Sequence, residues 1–165
     1  HKNLSALSAT AAMLVEYGMD LVLIGDIDRR IFGTEVLELP ASVRCVGRQG
    51  DAALRALYEG AACFVFPSLD ESFGLPAVEA MACGCPVVAS RAGSLPEVCG
   101  DAALLVDPAD PADIARAVRL VLDDPDCATR LRAAGRARAA GFTWEAAARR
   151  LAGLAAGLGT ADGTA

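Results

Sequence analysis

The sequence predicts an α/β domain in which helices cover both faces of a parallel sheet. Short apolar runs that stop at Gly, Pro or Asp recur along the chain: "LVLIG", "SVRCVG", "ACFVF", "PVVAS" and "AALLV". Ala/Leu-rich stretches with helical spacing separate them, and this alternation is the mark of βα units. The length of 165 residues suits one domain. Hydrophobic residues make up 54% and aromatics only 5%, so the core must be filled by Ala, Val and Leu.

Apolar residues at 4, 7, 11, 14 and 15 predict a helix over Leu4 to Tyr17, ended by Gly18. "LVLIG" (21–25) reads as a strand buried on both faces. "RRIFGTEVLEL" reads as helical. "SVRCVG" (42–47) is a second strand. "DAALRALYEG" (51–60) is a short helix with Asp51 as its N-cap. "ACFVF" (62–66) is a third strand, closed by Pro67-Ser68. A loop leads to a helix over Leu75 to Ala82, with Gly84 as its stop. "PVVAS" (86–90) is a fourth strand, "GSLPEV" a turn and short helix, and "AALLV" (102–106) a fifth strand. Asp110 caps a helix that has Pro111 in its first position and runs to about Leu122. Two Ala/Arg-rich helices follow, near 126–139 and 144–157, the second capped by Thr143. One domain over 1–157 and a disordered tail over 158–165 are expected.

The order is unusual at its start. A nucleotide-binding α/β domain opens with a strand that takes a central place in the sheet. This chain opens with a helix, so the expectation is either that it starts one element late or that something else fills the slot of the first strand. Two neighbouring strands should then present unpaired edges. The chain does not begin with Met, and His1-Lys2-Asn3 reads as the cut edge of something longer.

Composition narrows the function. A net charge of −6 argues against nucleic acid. No apolar run is long enough for a membrane span. Arg130, Arg132, Arg136, Arg138, Arg149 and Arg150 are spread over two helices and read as a solvated face rather than a membrane contact. The cysteines at 45, 63, 83, 85, 99 and 127 mostly adjoin apolar runs, with Cys127 in a polar turn. Cys83-Gly-Cys85 has no second pair, and the one His is at position 1, so no metal site is expected. Buried reduced thiols in a cytoplasmic protein are the better reading.

The chemistry concentrates in "DESFGLPAVEAMACGCPVVAS" (70–90). Ligands of open α/β sheets bind beyond the carboxyl ends of the strands, which is where the loop after Ser68 falls. Gly74 lets backbone approach a ligand closely. The N–H groups of Ser72, Phe73, Gly74 and Leu75 would face outward at the positive end of a helix, where a phosphate is favoured. Glu71 precedes that helix and Glu79 lies about one turn inside it. Carboxylates beside a diphosphate repel it unless they bind hydroxyls, so diols of a ribose or sugar suit both. Taken alone, two Glu at this spacing are more often merely solvated.

The longer string "FVFPSLDESFGLPAVEAMACGCPVVASRAGSLPEV" closely resembles the donor-binding half of retaining nucleotide-sugar glycosyltransferases of the GT-B architecture, the family-4-like group. "HKNL", "LVLIGD", "VRCVGRQGDAALRALYEGAACFVFPS", "GDAALLVDPADPADIARAV" and "FTWEAAARRL" extend the likeness over nearly the whole chain. The resemblance implies a Rossmann-like domain, the C-terminal half of a GT-B fold, that binds a nucleotide-diphosphate sugar. It implies that Lys2 neutralises the diphosphate, and that Val46, Gly47, Arg48 and Gln49 hold the base through main-chain contacts. Glu71 would lie at the transferred sugar, as a hydroxyl ligand and electrostatic partner rather than a nucleophile. The backbone of Ser72 to Leu75 would cradle sugar and diphosphate, and Glu79 would bind the ribose. No metal or cofactor is implied, because Lys2 and the helix N-terminus stabilise the leaving group. The acceptor site is expected in an N-terminal domain of the same enzyme, so the isolated chain should bind donor weakly and transfer little. The sequence departs from the family pattern in lacking the Arg that precedes the Lys, and in carrying Asp26 where a second Gly commonly follows "LIG". Three other readings are weaker: a binding module without chemistry, a GT-B-type sugar-nucleotide epimerase, and a phospho-receiver. The base, sugar and acceptor stay open, with a flavour of mannosyl- or rhamnosyl-type enzymes in "RAGSLPEVCGDAALLVDP".

Overall fold

The computed structural model describes residues 2–25 and 42–159. "RRIFGTEVLEL", expected to be helical, and residues 160–165 of the expected tail lie outside the described residues. The chain enters through a 3-10 turn (Leu4–Leu7) into α1 (Ser8–Glu16), then β1 (Leu21–Leu23) and β2 (Val43–Cys45). There follow α2 (Asp51–Gly60), β3 (Phe64–Phe66), α3 (Leu75–Ala82), β4 (Val87–Ser90), α4 (Leu95–Cys99) and β5 (Ala103–Val106). The helices α5 (Pro111–Asp123), α6 (Pro125–Ala139) and α7 (Trp144–Gly159) close the chain.

All strand pairs among the described residues are parallel, in two groups. β1 pairs with β2, and β3-β4-β5 form a three-stranded sheet in that order. β4 is central, with Val87 opposite both Phe64 and Ala103. All four of its residues are buried, as befits a strand covered on both faces. Its side chains alternate accordingly. Val87 and Ala89 pack with Met81 of α3, Leu95 of α4 and Ala139 of α6. Val88 turns the other way, toward Ile114 and Val118 of α5, Leu14 of α1 and Leu131 of α6. Fully burying one such side chain stabilises the fold by about 1.5–3 kcal/mol, so these two layers carry most of the structure.

The ends of the elements follow local chemistry. α1 closes with Met19 N–H donating to Leu14 O and Gly18 N–H to Val15 O, both at 3.1 Å. This is the Schellman arrangement. α3 closes the same way, with Cys85 N–H to Ala80 O and Gly84 N–H to Met81 O, both at 2.9 Å. "ACGCP" is thus a helix stop. Asp110 caps α5 through Ala112 N–H at 2.9 Å, and Thr143 caps α7 through Ala146 N–H at 3.1 Å.

Three expectations need correction. Gly50, not Asp51, is the N-cap of α2, and no side chain caps that helix. Asp51 instead sits in the first turn, where its charge complements the helix dipole. Cys127 is buried within α6, while Cys45 on β2 is exposed. β1 is not buried on both faces: Val22 is 38% exposed, as is Ile24 just past the strand. Besides, the second edge of β1 has no strand against it among the described residues.

Candidate functional site

The carboxyl ends of the strands converge on Glu71. Its carboxylate Oε1 accepts a hydrogen bond from Ser68 Oγ at 3.0 Å and pairs with Lys2 Nζ at 2.5 Å, across 69 positions of sequence. Its main-chain carbonyl accepts two bonds from Ser94, from N–H at 3.0 Å and from Oγ at 2.9 Å. Ser68 is itself anchored, since its carbonyl accepts Ser90 Oγ at 2.5 Å. Ser68 and Ser90 are fully buried, and a buried hydroxyl must find an acceptor. The relay Ser90 to Ser68 to Glu71 satisfies them and aims the carboxylate.

Backbone sterics complete the clamp. A Cβ on Gly93 would stand 2.6 Å from Glu71 O and 2.7 Å from Glu71 N, at a φ of +56°. Only glycine lets the "AGS" turn approach the Glu71 peptide so closely. At the start of α3, Gly74 has a φ of +91°, and its Cβ would meet Leu95 Cδ2 at 2.5 Å. The left-handed Gly74 turns Ser72, Phe73 and Leu75 outward, and all three are exposed. Their N–H groups and that of Gly74 donate to no acceptor among the described residues. The result is a row of free donors at the positive end of α3, the arrangement that suits an anion.

Lys2 is delivered by its neighbour. Asn3 adopts a left-handed φ of 55°, which Asn tolerates better than most residues. Its Nδ2 donates to Pro67 O at 3.0 Å and Pro108 O at 2.8 Å, tying the entry turn to the ends of β3 and β5. The ammonium also lies 5.2 Å from the Phe66 ring centroid, a favourable cation–π distance. Its side chain is 49% exposed, against 17% for Glu71. So open an ion pair is weak, and Lys2 is free to re-partner with a ligand anion.

Glu79 is exposed on α3, and its carboxylate makes no hydrogen bond or ion pair among the described residues. With Lys2, Ser68 and Gly25 it borders a cleft of about 890 Å³ between β1 and β3. Burial pushes the Tyr58 phenol upward, helped by the Glu79 charge. The turn Val46 to Gln49 lies at the same carboxyl edge. It is laced to β1 by Val46 N–H to Leu23 O at 3.0 Å and Gly25 N–H to Gly47 O at 2.9 Å. Gln49 Nε2 also donates to Val46 O at 2.6 Å. These four residues do not border the cleft. The structure therefore joins Lys2, Glu71 and the start of α3 directly, places Glu79 on their side of the cleft, and sets 46–49 apart on the rim.

Sequence reasoning missed Ser68, Ser90, Gly93 and Ser94 as supports, because a lone serine or glycine carries no spacing signal. It also missed Phe142, whose ring meets that of Phe73 edge-on at 5.6 Å and lies under the Arg138 guanidinium at 5.3 Å. Among the described residues no group of three or more His, Cys, Asp and Glu side chains is placed to hold a metal ion.

Residues 1–138 match the model of the family described as glycosyl transferases group 1. The chain belongs to that family. An MMP alpha-(1->4)-mannosyltransferase of Mycolicibacterium hassiacum is 42% identical over 150 residues, which are 86% of this chain and 36% of the relative. A sucrose-phosphate synthase structure from Thermosynechococcus elongatus superimposes with a TM-score of 0.76 at 34% identity, covering 95% of this chain and 43% of that one. The HepE protein of Anabaena in complex with UDP-glucose shares the fold at a TM-score of 0.70 and 23% identity, over 79% of this chain and 39% of that one. The chain thus spans less than half the length of these relatives. Its fold is the Rossmann-like one of GT-B C-terminal domains.

Proposed function

We propose that this glycosyltransferase domain binds the nucleotide-diphosphate sugar donor of a retaining transfer reaction. The observation that carries the reading is the junction of Lys2 and Glu71 at 2.5 Å beside the free N–H groups that open α3. A diphosphate would take Lys2 from Glu71 and accept from Ser72 to Leu75. Glu71, still aimed by Ser68 and Ser94, would then accept from hydroxyls of the sugar. Glu79 would take the ribose diol, and the Val46–Gln49 rim the base. The charge that builds on the leaving diphosphate is met by the Lys2 ammonium and the helix N-terminus, both in place before reaction. The reading needs no metal and no cofactor. It assigns the acceptor to a further domain of the same enzyme, so this chain alone would transfer little sugar. A cytoplasmic setting fits the six unpaired cysteines. Among the described residues no helix is long and apolar enough to cross a membrane.

The test is a thermal-shift screen of the full-length enzyme with GDP-, UDP-, ADP- and dTDP-sugars. A ligand at 100 times its Kd stabilises by about 2.7 kcal/mol, a rise of several degrees. Glu79→Ala should weaken the preferred ribonucleotide about tenfold or more, yet barely change its 2′-deoxy analogue, which lacks half of the diol. If no nucleotide sugar raises the melting temperature, the donor reading fails. Efficient transfer by the isolated chain would sink the split-site picture.

A further inference from the structure

The row of free N–H groups before α3 is anchored at its two ends and bare in the middle. Glu71 is fixed at one end by the two bonds that its carbonyl accepts from Ser94. Gly74 is fixed at the other, where its carbonyl accepts Ala77 N–H at 3.0 Å. Between them, Ser72 and Phe73 make no main-chain hydrogen bond among the described residues. Amides that are to meet an anion in a set geometry need some other hold.

The Phe73 side chain supplies it. Its ring meets that of Phe142 with centroids 5.6 Å apart and planes at 88°, the edge-on arrangement that aromatic pairs prefer. Phe142 is itself held. It lies in the short turn between α6 and α7, where its N–H donates to Ala139 O at 3.0 Å and Gly141 N–H to Arg138 O at 3.1 Å. The Arg138 guanidinium stands 5.3 Å from the Phe142 ring centroid. That guanidinium is pinned in turn by Val98 O at 2.9 Å and Glu97 O at 2.6 Å, both on α4. Helix α6 also grips the rest of α3. A Cβ on Gly135 would stand 3.3 Å from Met81 Cγ, and Arg132 Nη1 donates to Gly84 O at 3.0 Å. The Phe142 contact extends this splint to the start of α3. The two rings are 41% and 37% exposed, so the pair buries too little to be needed for the core.

We propose that Phe142 is a positioning residue for the candidate site: it fixes Phe73, and through Phe73 it holds the N–H groups of residues 72–75 in the row that an anion would meet. Donors ordered in advance spare a ligand the cost of ordering them on binding. That the anion is a donor diphosphate rests on the function proposed above; the positioning itself does not.

The test uses the full-length enzyme and hydrogen exchange read by mass spectrometry without ligand. An edge-on aromatic pair supplies a factor of about 2 to 12. Phe142→Ala should therefore speed local opening of the first turn of α3, read at Ala77, Val78 and Glu79, by about 2- to 12-fold, and leave β4 and β5 unchanged. Phe142→Tyr keeps the ring and should restore slow exchange. Phe73→Ala should reproduce the effect, and adding Phe142→Ala to it should change nothing more, since the second ring acts through the first. In calorimetry, the nucleotide sugar that the thermal-shift screen selects should bind Phe142→Ala more weakly by a similar factor and Phe142→Tyr as it binds the unaltered enzyme. Trp144→Ala, 90% exposed and two residues on, should alter neither reading. Unchanged exchange in the first turn of α3 overturns the proposal. So does a rise spread equally over β4 and β5, a failure of Phe142→Ala to fold, or faster exchange with undiminished affinity. An unaltered enzyme that binds no nucleotide sugar removes the donor reading, and the exchange pattern then decides the role of Phe142 by itself.

Discussion

The clamp on Glu71 can be tested by adding one methyl group. In Gly93→Ala the new Cβ meets main-chain atoms at 2.6 and 2.7 Å, and Asp70 Oδ1 at 3.0 Å. Two costs arise, and a second glycine separates them. Gly18 has nearly the same left-handed φ, +62° against +56°, but a methyl added there would meet nothing within 4 Å. Gly18→Ala thus bears the conformational penalty alone, about 1–2 kcal/mol. Gly93→Ala bears that penalty plus a clash that a peptide, unlike a flexible side chain, cannot rotate away from. Overpacking of this kind costs about 1–3 kcal/mol more. Urea unfolding should give a loss of about 2–5 kcal/mol for Gly93→Ala, the sum of the two terms, and visibly less for Gly18→Ala. Because the loop that moves carries Glu71, Gly93→Ala should also weaken nucleotide-sugar binding by about tenfold in calorimetry, while Gly18→Ala leaves it unchanged. Equal losses of stability with unchanged binding in both would show that the Gly93 contact does not position Glu71.

Asp124 accepts from both Asp126 and Cys127 N–H at 3.0 Å, so Asp124→Ala should cost about 1 kcal/mol in denaturant melts, whereas Asp51→Ala, which removes no cap, should change stability by less than about 0.5 kcal/mol. Arg138 donates to Val98 O at 2.9 Å and Glu97 O at 2.6 Å, and Arg138→Leu should cost about 1.5–3 kcal/mol by the loss of charge-assisted bonds. Burial pushes the Cys63 thiol up to about 12 and those of Cys85 and Cys99 up to about 11, from 9.0 in a free thiol. Between pH 9 and 11 the unfolded chain loses these protons and the folded one keeps them. Stability should therefore fall as pH rises through that window, by about 1.4 kcal/mol per pH unit for each such thiol; a melting temperature flat from pH 9 to 11 would count against their burial. At neutral pH a disulfide reagent should modify the exposed Cys45 while Cys85 and Cys99 wait for unfolding.

What is legible in the sequence depends on the range of the signal. "LPAVEAMA" reads as a helix because its apolar spacing, proline and terminal glycine all lie within or beside the segment, and the helix falls on Leu75–Ala82. The Asp110 and Thr143 caps are readable for the same reason. Asp51 misleads because its neighbour Gly50 takes the cap position and nothing in the residue type excludes that. Cys127 misleads because its polar neighbours in sequence are not its neighbours in space: Leu131 and Val118 are packed in the same core cluster. The two-sided burial expected for "LVLIG" fails for a non-local reason as well, since a strand's face is covered only where a segment distant in sequence packs over it.

By itself the sequence determined the alternation of strands and helices, the outward turn before α3, and the carboxylates at 71 and 79. Each follows from residues within about a dozen positions of one another, where backbone sterics and side-chain periodicity act directly. The fold alone decided that Lys2 would meet Glu71, that buried Ser68 and Ser90 would aim that carboxylate, that Gly93 would press on its peptide, and that β1 and β3 would face each other across an open cleft. Apart from the Ser68–Glu71 bond, which spans three positions, the hydrogen bonds and ion pair of that clamp reach across 22 to 69 positions of sequence, and no local preference specifies those. They arise because burying Val87 and Val88 on opposite faces of β4 fixes where every loop at the carboxyl edge must emerge.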